Sequence, residues 1–225
     1  MYPEQFVALD LETTGLDPRK DEIMEIGLVL YKGHSLSRTF STLVRPKRNP
    51  PFPILALTGL TLKELEEAPL LSEVLDEVRA FIGDNVVVAH NASFDVGFLR
   101  SALGEFSNVC LDTLELARIL LPFLSDHKLS TVVSYYGVEV KRGHRALDDA
   151  LACGEVFLHL REDIARLPTS VLRDIVGVVE PIVWHSKRLF LEAIERSTEE
   201  GDPGMREQFW RDNILAGAPV DEERV

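Results

Sequence analysis

Along residues 6–11 apolar side chains run almost unbroken until Thr13-Thr14-Gly15 closes the segment, and two further stretches rich in β-formers follow at 23–31 and 36–44. Only Lys32-Gly33-His34-Ser35 separates the last two, a connection of hairpin length, so the three runs predict an antiparallel meander. In the third run Leu36, Arg38, Phe40 and Thr42 alternate with Ser37, Thr39, Ser41 and Leu43, too mixed for a clean buried face. After a proline-rich stretch over 46–53 the period changes: Leu71, Val74, Leu75, Val78, Phe81 and Ile82 recur at three and four residues, the spacing of one helix face. Val86-Val87-Val88 then reads as a buried strand, 94–103 as a helix with Phe94, Phe98 and Leu99 on one side, 109–111 as a strand, and 113–120 as a helix that Pro122 ends. Helices over 129–136 and 146–160 complete this part. Three strands followed by alternating strands and helices predict an α/β fold, a mixed sheet covered by helices.

Beyond about residue 165 the character shifts. Pro168, Pro181 and Pro203 punctuate a segment in which Val171, Leu172, Ile175, Val176 and Val179 mark one amphipathic helix and Leu189, Phe190, Ala193 and Ile194 another. From Thr198 the chain is acidic and carries Gly201-Asp202-Pro203-Gly204 and Gly217-Ala218-Pro219, the composition of a linker or tail. The expected organisation is therefore a domain over 1–165, a helical extension over 166–197 and an acidic linker or tail over 198–225.

Composition narrows the function. The 225 residues suffice for one domain with an appendage, and 45% hydrophobic with 27% charged residues exclude disorder. A net charge of −13 excludes a protein held to nucleic acid by a broadly basic surface, which needs many Lys and Arg contacts to phosphate. A cation inside a carboxylate cage reverses the local sign, so that exclusion covers the whole surface and no single site. Cys110 and Cys153, with no CxxC, offer neither a disulfide framework nor a cysteine zinc site and fit a reducing, cytoplasmic compartment. With no apolar stretch of ~18 residues and no basic segment ahead of an apolar one at the N-terminus, neither a membrane span nor a secretory leader is expected. No GxxxxGK[ST] sequence occurs, so the chain has no P-loop motor.

Candidate chemistry begins at the end of the first strand. A side-chain period of two puts Phe6, Ala8, Asp10 and Glu12 on one face and Val7, Leu9 and Leu11 on the other. Two carboxylates thus emerge side by side from an apolar strand, which is costly unless a cation compensates them, and oxygen ligands of this kind suit Mg²⁺ or Mn²⁺. His90-Asn91-Ala92-Ser93-Phe94-Asp95 follows the next strand; there Asp95 falls in a helix first turn, and Asn91 and Ser93 read as caps. In Gly143-His144-Arg145-Ala146-Leu147-Asp148-Asp149, His144 and Asp149 would diverge by about 140° if both were helical, so the histidine belongs to a loop that folds back over the helix start.

Asp10-x-Glu12 in LDLETTG, Asp95 in HNASFDVGFL, and His144 with Asp149 in GHRALDDA stand in the order and rough spacing of the DEDDh, or DnaQ-like, 3′→5′ exonucleases. The sequence resembles that family, which includes the proofreading ε subunit of bacterial DNA polymerase III, over roughly residues 5–161. The Tyr variant of the family has tyrosine where this chain has Arg145, so it is excluded. The resemblance implies a ribonuclease H-like five-stranded sheet and hydrolysis with two divalent ions, Mg²⁺ or Mn²⁺, releasing nucleoside 5′-monophosphates. Asp10 would bridge the ions, Glu12 and Asp149 would join the first and Asp95 the second, and His144 would be the general base.

Substrate contacts implied by the resemblance are the backbone of Thr13, Thr14, Gly15 and Leu16, with the Leu16 side chain against the base. Phe94 is a candidate stacking face that equally suits the core, and Arg142 or Arg145 is the candidate phosphate contact. Three functional readings follow: a DNA exonuclease, favoured because GHRALDDA and residues 129–131 look like DNA-polymerase-type and helicase-fused members; an exoribonuclease of the oligoribonuclease or RNase T kind; and a non-catalytic module. The extension is similar to the stretch that joins exonuclease to helicase in DinG-type proteins. Expected partners are therefore DNA 3′ ends, with RNA ends as the alternative, and a DNA polymerase or a fused helicase domain.

Overall fold

The computed structural model describes residues 2–140 and 143–200, the side chains of 198–200 excepted; the tail expected from 198 on lies outside the described residues from 201. Its sheet has five strands in the order β3-β2-β1-β4-β5. β1 (Gln5–Thr13), β2 (Ile23–Lys32) and β3 (Ser35–Leu43) form the antiparallel meander, and β4 (Val86–Ala89) and β5 (Cys110–Asp112) add in parallel beyond β1. This is the mixed sheet of the ribonuclease H-like fold, and β1 lies at its centre.

Alternation along β1 divides the core in two. Phe6 and Ala8 join Tyr31, Val156, Phe157 and Leu160 on one side; Val7, Leu9 and Leu11 join Val78, Phe98 and Leu99 on the other. Helix α3 (Leu71–Ile82) and α4 (Ala92–Leu103) cover the second face, and α7 (Ala146–Arg166) lies across β1 and β2 on the first, with α5 (Thr113–Leu120) and α6 (Leu129–Tyr136) beside it. Phe6 stacks on Tyr31 and meets the Phe157 ring edge-on, each with centroids 4.9 Å apart. Gly154 lets α7 settle on the sheet, since a Cβ there would stand 2.3 Å from the Tyr31 ring.

Two short helices stand at and beyond the proline-rich stretch 46–53, where the sequence pattern predicts no element. α1 (Phe52–Thr58) starts after Pro51 and ends at Gly59 with φ 70°, and α2 (Leu62–Glu67) is opened by a capping box between Thr61 and Glu64. α7 runs to Arg166, past the expected end at residue 160. α8 (Thr169–Val178) and α9 (Lys187–Glu200) fold back on the domain, with Leu172, Leu189 and Phe190 buried in the same cluster as Phe6 and Phe157. Among the described residues no helix is long and apolar enough to cross a membrane.

Candidate active site

β4 pairs with β1 only opposite Phe6, Val7 and Ala8, so the C-terminal end of β1 projects beyond that neighbour. The gap receives α4. Asp95, 3% exposed in the first turn of α4, accepts the backbone N–H of Leu11 at 3.0 Å through Oδ1, replacing the missing strand partner. The caps expected from Asn91 and Ser93 are not made: Asn91 adopts φ 65° with no side-chain cap bond to a helix N–H, and the Asp112 carboxylate from β5 accepts the N–H groups of Asn91 and Ala92, both at 2.9 Å. Asp112 also accepts from Leu114 N at 2.8 Å and so starts α5 as well. One carboxylate at the strand end thus fixes two helix starts, of which its place before Thr113 signals only that of α5.

On the opposite side α7 supplies Asp149. Its approach to the sheet depends on Gly27, the register partner of Asp10, where a Cβ would fall 2.2 Å from the backbone of Ala146. The turn before α7 holds His144, exposed and with φ 62°, a conformation that costs a non-glycine residue roughly 1–2 kcal/mol. That conformation aims the His144 N–H at Asp149 Oδ2, 2.9 Å away. Ligand atoms of Glu12, His144 and Asp149 lie within 4.8 Å of one another, the group among the described residues with metal-binding spacing. Asp10 and Asp95 stand outside that triplet but are tied to it electrostatically.

The electrostatics are those of acids crowded together. Burial first, then Asp95, Asp149, Glu12 and Glu25, hold the Asp10 carboxyl well above the ordinary range. Burial and the charges of Asp149 and Glu25 push Glu12 up to about 7, against the pull of Arg145. Asp95 rises to about 8 through burial despite its bond from Leu11, and Asp149 is raised by burial despite the His144 N–H. Such a set is stabilised by whatever brings positive charge to it, and its all-oxygen acidic donors match hard divalent cations, so the residues fit Mg²⁺ or Mn²⁺.

The loop after β1 is pinned from within. Thr13 Oγ1 donates to Gly15 O at 2.7 Å, Thr14 N to Glu22 O at 2.8 Å, and Glu22 N to Thr14 Oγ1 at 2.9 Å. Asp21 accepts from Asp17 N at 2.9 Å and lies where a Cβ on Gly15 would be, 2.4 Å from its carboxylate. This rigid loop presents Leu16 with 83% of its surface exposed. Phe94 is half-buried and tilted against Phe98 at 5.1 Å, in contact with the second core while keeping an open edge. Arg142 lies outside the described residues. Arg145 does not stand free for a phosphate: its guanidinium is engaged by Glu25, a buried acid inside the apolar run of β2 that the motif reading passed over. A lone glutamate in Ile23-Met24-Glu25-Ile26 was the signal for it.

A family model for exonucleases of the RNase T type matches residues 7–157. The PolC-type DNA polymerase III of Clostridium perfringens is 40% identical over 160 residues, 69% of this chain and 11% of the polymerase. That of Thermotoga maritima is 38% identical over 190 residues, 82% of this chain and 14% of the polymerase. The chain thus spans about an eighth of these relatives, which are polymerases and lend no support to the expected helicase fusion. Among solved structures, Exonuclease X in complex with 5′ overhanging duplex DNA superposes with a TM-score of 0.59 at 26% identity, covering 70% of this chain and 90% of that one. The nuclease domain of 3′hExo, a DEDDh family member bound to rAMP, does so with a TM-score of 0.61 at 21% identity, covering 72% and 94%.

Proposed function

The chain belongs to the RNase T exonuclease family of nucleases, and from that premise we propose that it hydrolyses phosphodiester bonds at the 3′ ends of DNA, preferably single-stranded, releasing nucleoside 5′-monophosphates. The observation that carries the reading is the convergence of Asp10, Glu12, Asp95 and Asp149 at the open end of β1, all with raised carboxyl pKa, beside an exposed histidine. Asp10, Glu12 and Asp149 would hold one divalent ion, Mg²⁺ or Mn²⁺, and Asp10 with Asp95 a second. When bound, the ions supply Lewis-acid activation of water and of the scissile phosphate.

The residues of the chain do the rest. His144, on a turn at the solvent edge, takes the proton of the attacking water as general base. The pinned loop Thr13, Thr14, Gly15 and Leu16 receives the terminal nucleotide, with Leu16 against the base and the open edge of Phe94 as a second apolar surface. DNA is favoured over RNA because PolC relatives are DNA polymerases and Exonuclease X was captured on DNA. The catalytic unit is residues 1–165, with 166–197 as a docked extension. The overall charge of −13 leaves little surface to hold a long strand, so a DNA polymerase acting as a tether is the partner this reading expects.

Incubation of 5′-labelled single-stranded DNA, duplex DNA and RNA with Mg²⁺ or Mn²⁺ tests this. Release of mononucleotides from 3′ ends, fastest on single-stranded DNA and lost in Asp10→Ala and His144→Ala, is the expected result. Activity that persists in Asp10→Ala or in EDTA would refute the mechanism, and faster attack on RNA would reassign the substrate.

A further inference from the structure

Glu25 faces Glu12 directly across β1 and β2, is 1% exposed, and takes its ion pair from Arg145. Arg145 Nε donates to Oε1 at 3.2 Å and to Oε2 at 3.1 Å, and Nη2 donates to Oε1 at 2.8 Å. The backbone N–H of Ala146, the first residue of α7, adds a bond to Oε2 at 3.3 Å. A single buried carboxylate therefore grips both the guanidinium and the start of the helix. From there the connections run straight to the active site: Asp149 N donates to Arg145 O at 2.9 Å, and His144 N donates to Asp149 Oδ2 at 2.9 Å.

We propose that Glu25 and Arg145 are positioning residues for the nuclease reaction, an ion-paired latch that holds the His144 turn and the first turn of α7 against β2 so that Asp149 and His144 meet Glu12. The inference rests on the exonuclease reading above. The latch also sets the charge of the site. Arg145 cancels Glu25, and the four acids Asp10, Glu12, Asp95 and Asp149 are left with a formal −4, the amount that two divalent cations balance. Without the guanidinium, Glu25 would add a fifth negative charge beside Glu12. The planar fork of arginine meets both carboxylate oxygens, which the point charge of lysine cannot reproduce.

A role as phosphate contact, the assignment the motif suggests for Arg145, predicts a different kinetic pattern, so the two can be separated on the full chain. With a 5′-labelled single-stranded oligodeoxynucleotide and Mn²⁺, kcat and KM are measured for the wild type, Arg145→Lys, Arg145→Met, Glu25→Gln and the double variant Glu25→Gln/Arg145→Met; Mn²⁺ binding without DNA is followed by calorimetry. The latch predicts that Arg145→Lys lowers kcat roughly 10–100-fold with KM unchanged and weakens Mn²⁺ binding, as expected when the support of a metal ligand is disturbed. It predicts that the double variant is no worse than the poorer single one, because both remove the same interaction. Arg145→Lys keeps the charge and carries the test if the neutral variants melt below the assay temperature. A raised KM with kcat and Mn²⁺ affinity unchanged, or fully additive losses, would overturn the latch. A wild type that binds Mn²⁺ but releases no nucleotide would instead refute the exonuclease reading, leaving the calorimetry to decide the latch.

Discussion

At its N-terminal end α7 brings Asp149 against Glu12 and into the field of Asp10, and among the described residues neither Asp10 nor Glu12 is bonded to a basic side chain. Twelve positions along (161 − 149 = 12), about 18 Å by helical rise, the same helix buries Arg161 to 3% exposure. There Nη1 donates to Pro3 O at 3.0 Å, Nη2 lies 3.3 Å from His34 Nε2, and the guanidinium sits over the Phe157 ring. One end of the helix gives its buried charge hydrogen-bond partners at Nη1 and Nη2 and an aromatic face, leaving Nε without a partner; the other gathers like charges, with no basic side chain bonded to Asp10 or Glu12 among the described residues. A fold tolerates the first arrangement for its own stability, whereas the second raises the energy of the unliganded protein and is relieved only by something bound. The contrast separates the two kinds of charge more sharply than burial does, since Asp10, Glu12 and Asp149 are themselves partly buried.

The largest effect should come from the uncompensated end. Asp10→Asn removes the acid that feels the charge of Asp95, Asp149, Glu12 and Glu25 together, so nucleotide release should fall below detection while the protein without metal melts at the same temperature or higher; a lower melting temperature would mean that Asp10 is structural. His144→Ala should cost about 10²–10⁴-fold in kcat, the usual contribution of a general base, with KM and Mn²⁺ binding little changed. Next in size is Gly27→Ala. Its Cβ would collide with the backbone of Ala146, so the helix start must retreat and carry Asp149 with it. Overpacking of this kind costs about 1–3 kcal/mol, and a displacement near 1 Å about 10²-fold in rate. A fully active Gly27→Ala enzyme would show that the seat of α7 is not what aligns the acids.

Much of the uncompensated end is legible in the sequence because local rules place its residues. The period of two along β1 puts Asp10 and Glu12 on the face of Phe6 and Ala8, and the structure keeps that division down to the membership of the two cores. The helical spacing over 71–82 and the strand at 86–88 follow from the same periodicity. What escapes is what depends on contacts between distant segments. Arg145 and Glu25 are 120 residues apart, so nothing local says that the arginine faces a carboxylate instead of a phosphate. Asp112 caps a helix that begins 20 residues earlier, which displaces the local caps Asn91 and Ser93. The helices α1 and α2 were missed for another reason: prolines normally break helices, yet Pro51 and Pro53 stand where the first turn has no N–H to lose, and the Thr61 to Glu64 capping box was there to be read.

At the compensated end, Arg161→Met should lower stability and leave the chemistry alone. The substitution keeps much of the apolar stem but orphans Pro3 O, a loss of about 1–3 kcal/mol. For a chain of this size that is a fall of roughly 2–4 °C in Tm for each kcal/mol, with kcat and KM unchanged. A loss of kcat without a loss of Tm would erase the distinction between the two ends.

The most direct reading of the contrast is the pH dependence of Tm in the absence of metal. Glu12 and Asp95, pushed up to about 7 and about 8, hold protons in the folded state that the unfolded chain releases above pH ~4. Between those limits the native state binds more protons than the unfolded one, so stability falls as pH rises from about 4 through 7 to 8 and levels off once both carboxyls are ionised in each state. Divalent cations bind the ionised acids, so the gain in Tm from Mn²⁺ should grow over the same interval. Asp95→Asn should flatten the metal-free profile, while Arg161→Met should displace it downward without changing its slope, because guanidinium does not titrate there. A metal-free Tm that is constant or rises between pH 5 and 8 would mean that the acids at the end of β1 are not held against their own repulsion, and the case for a built cation site would fail with it.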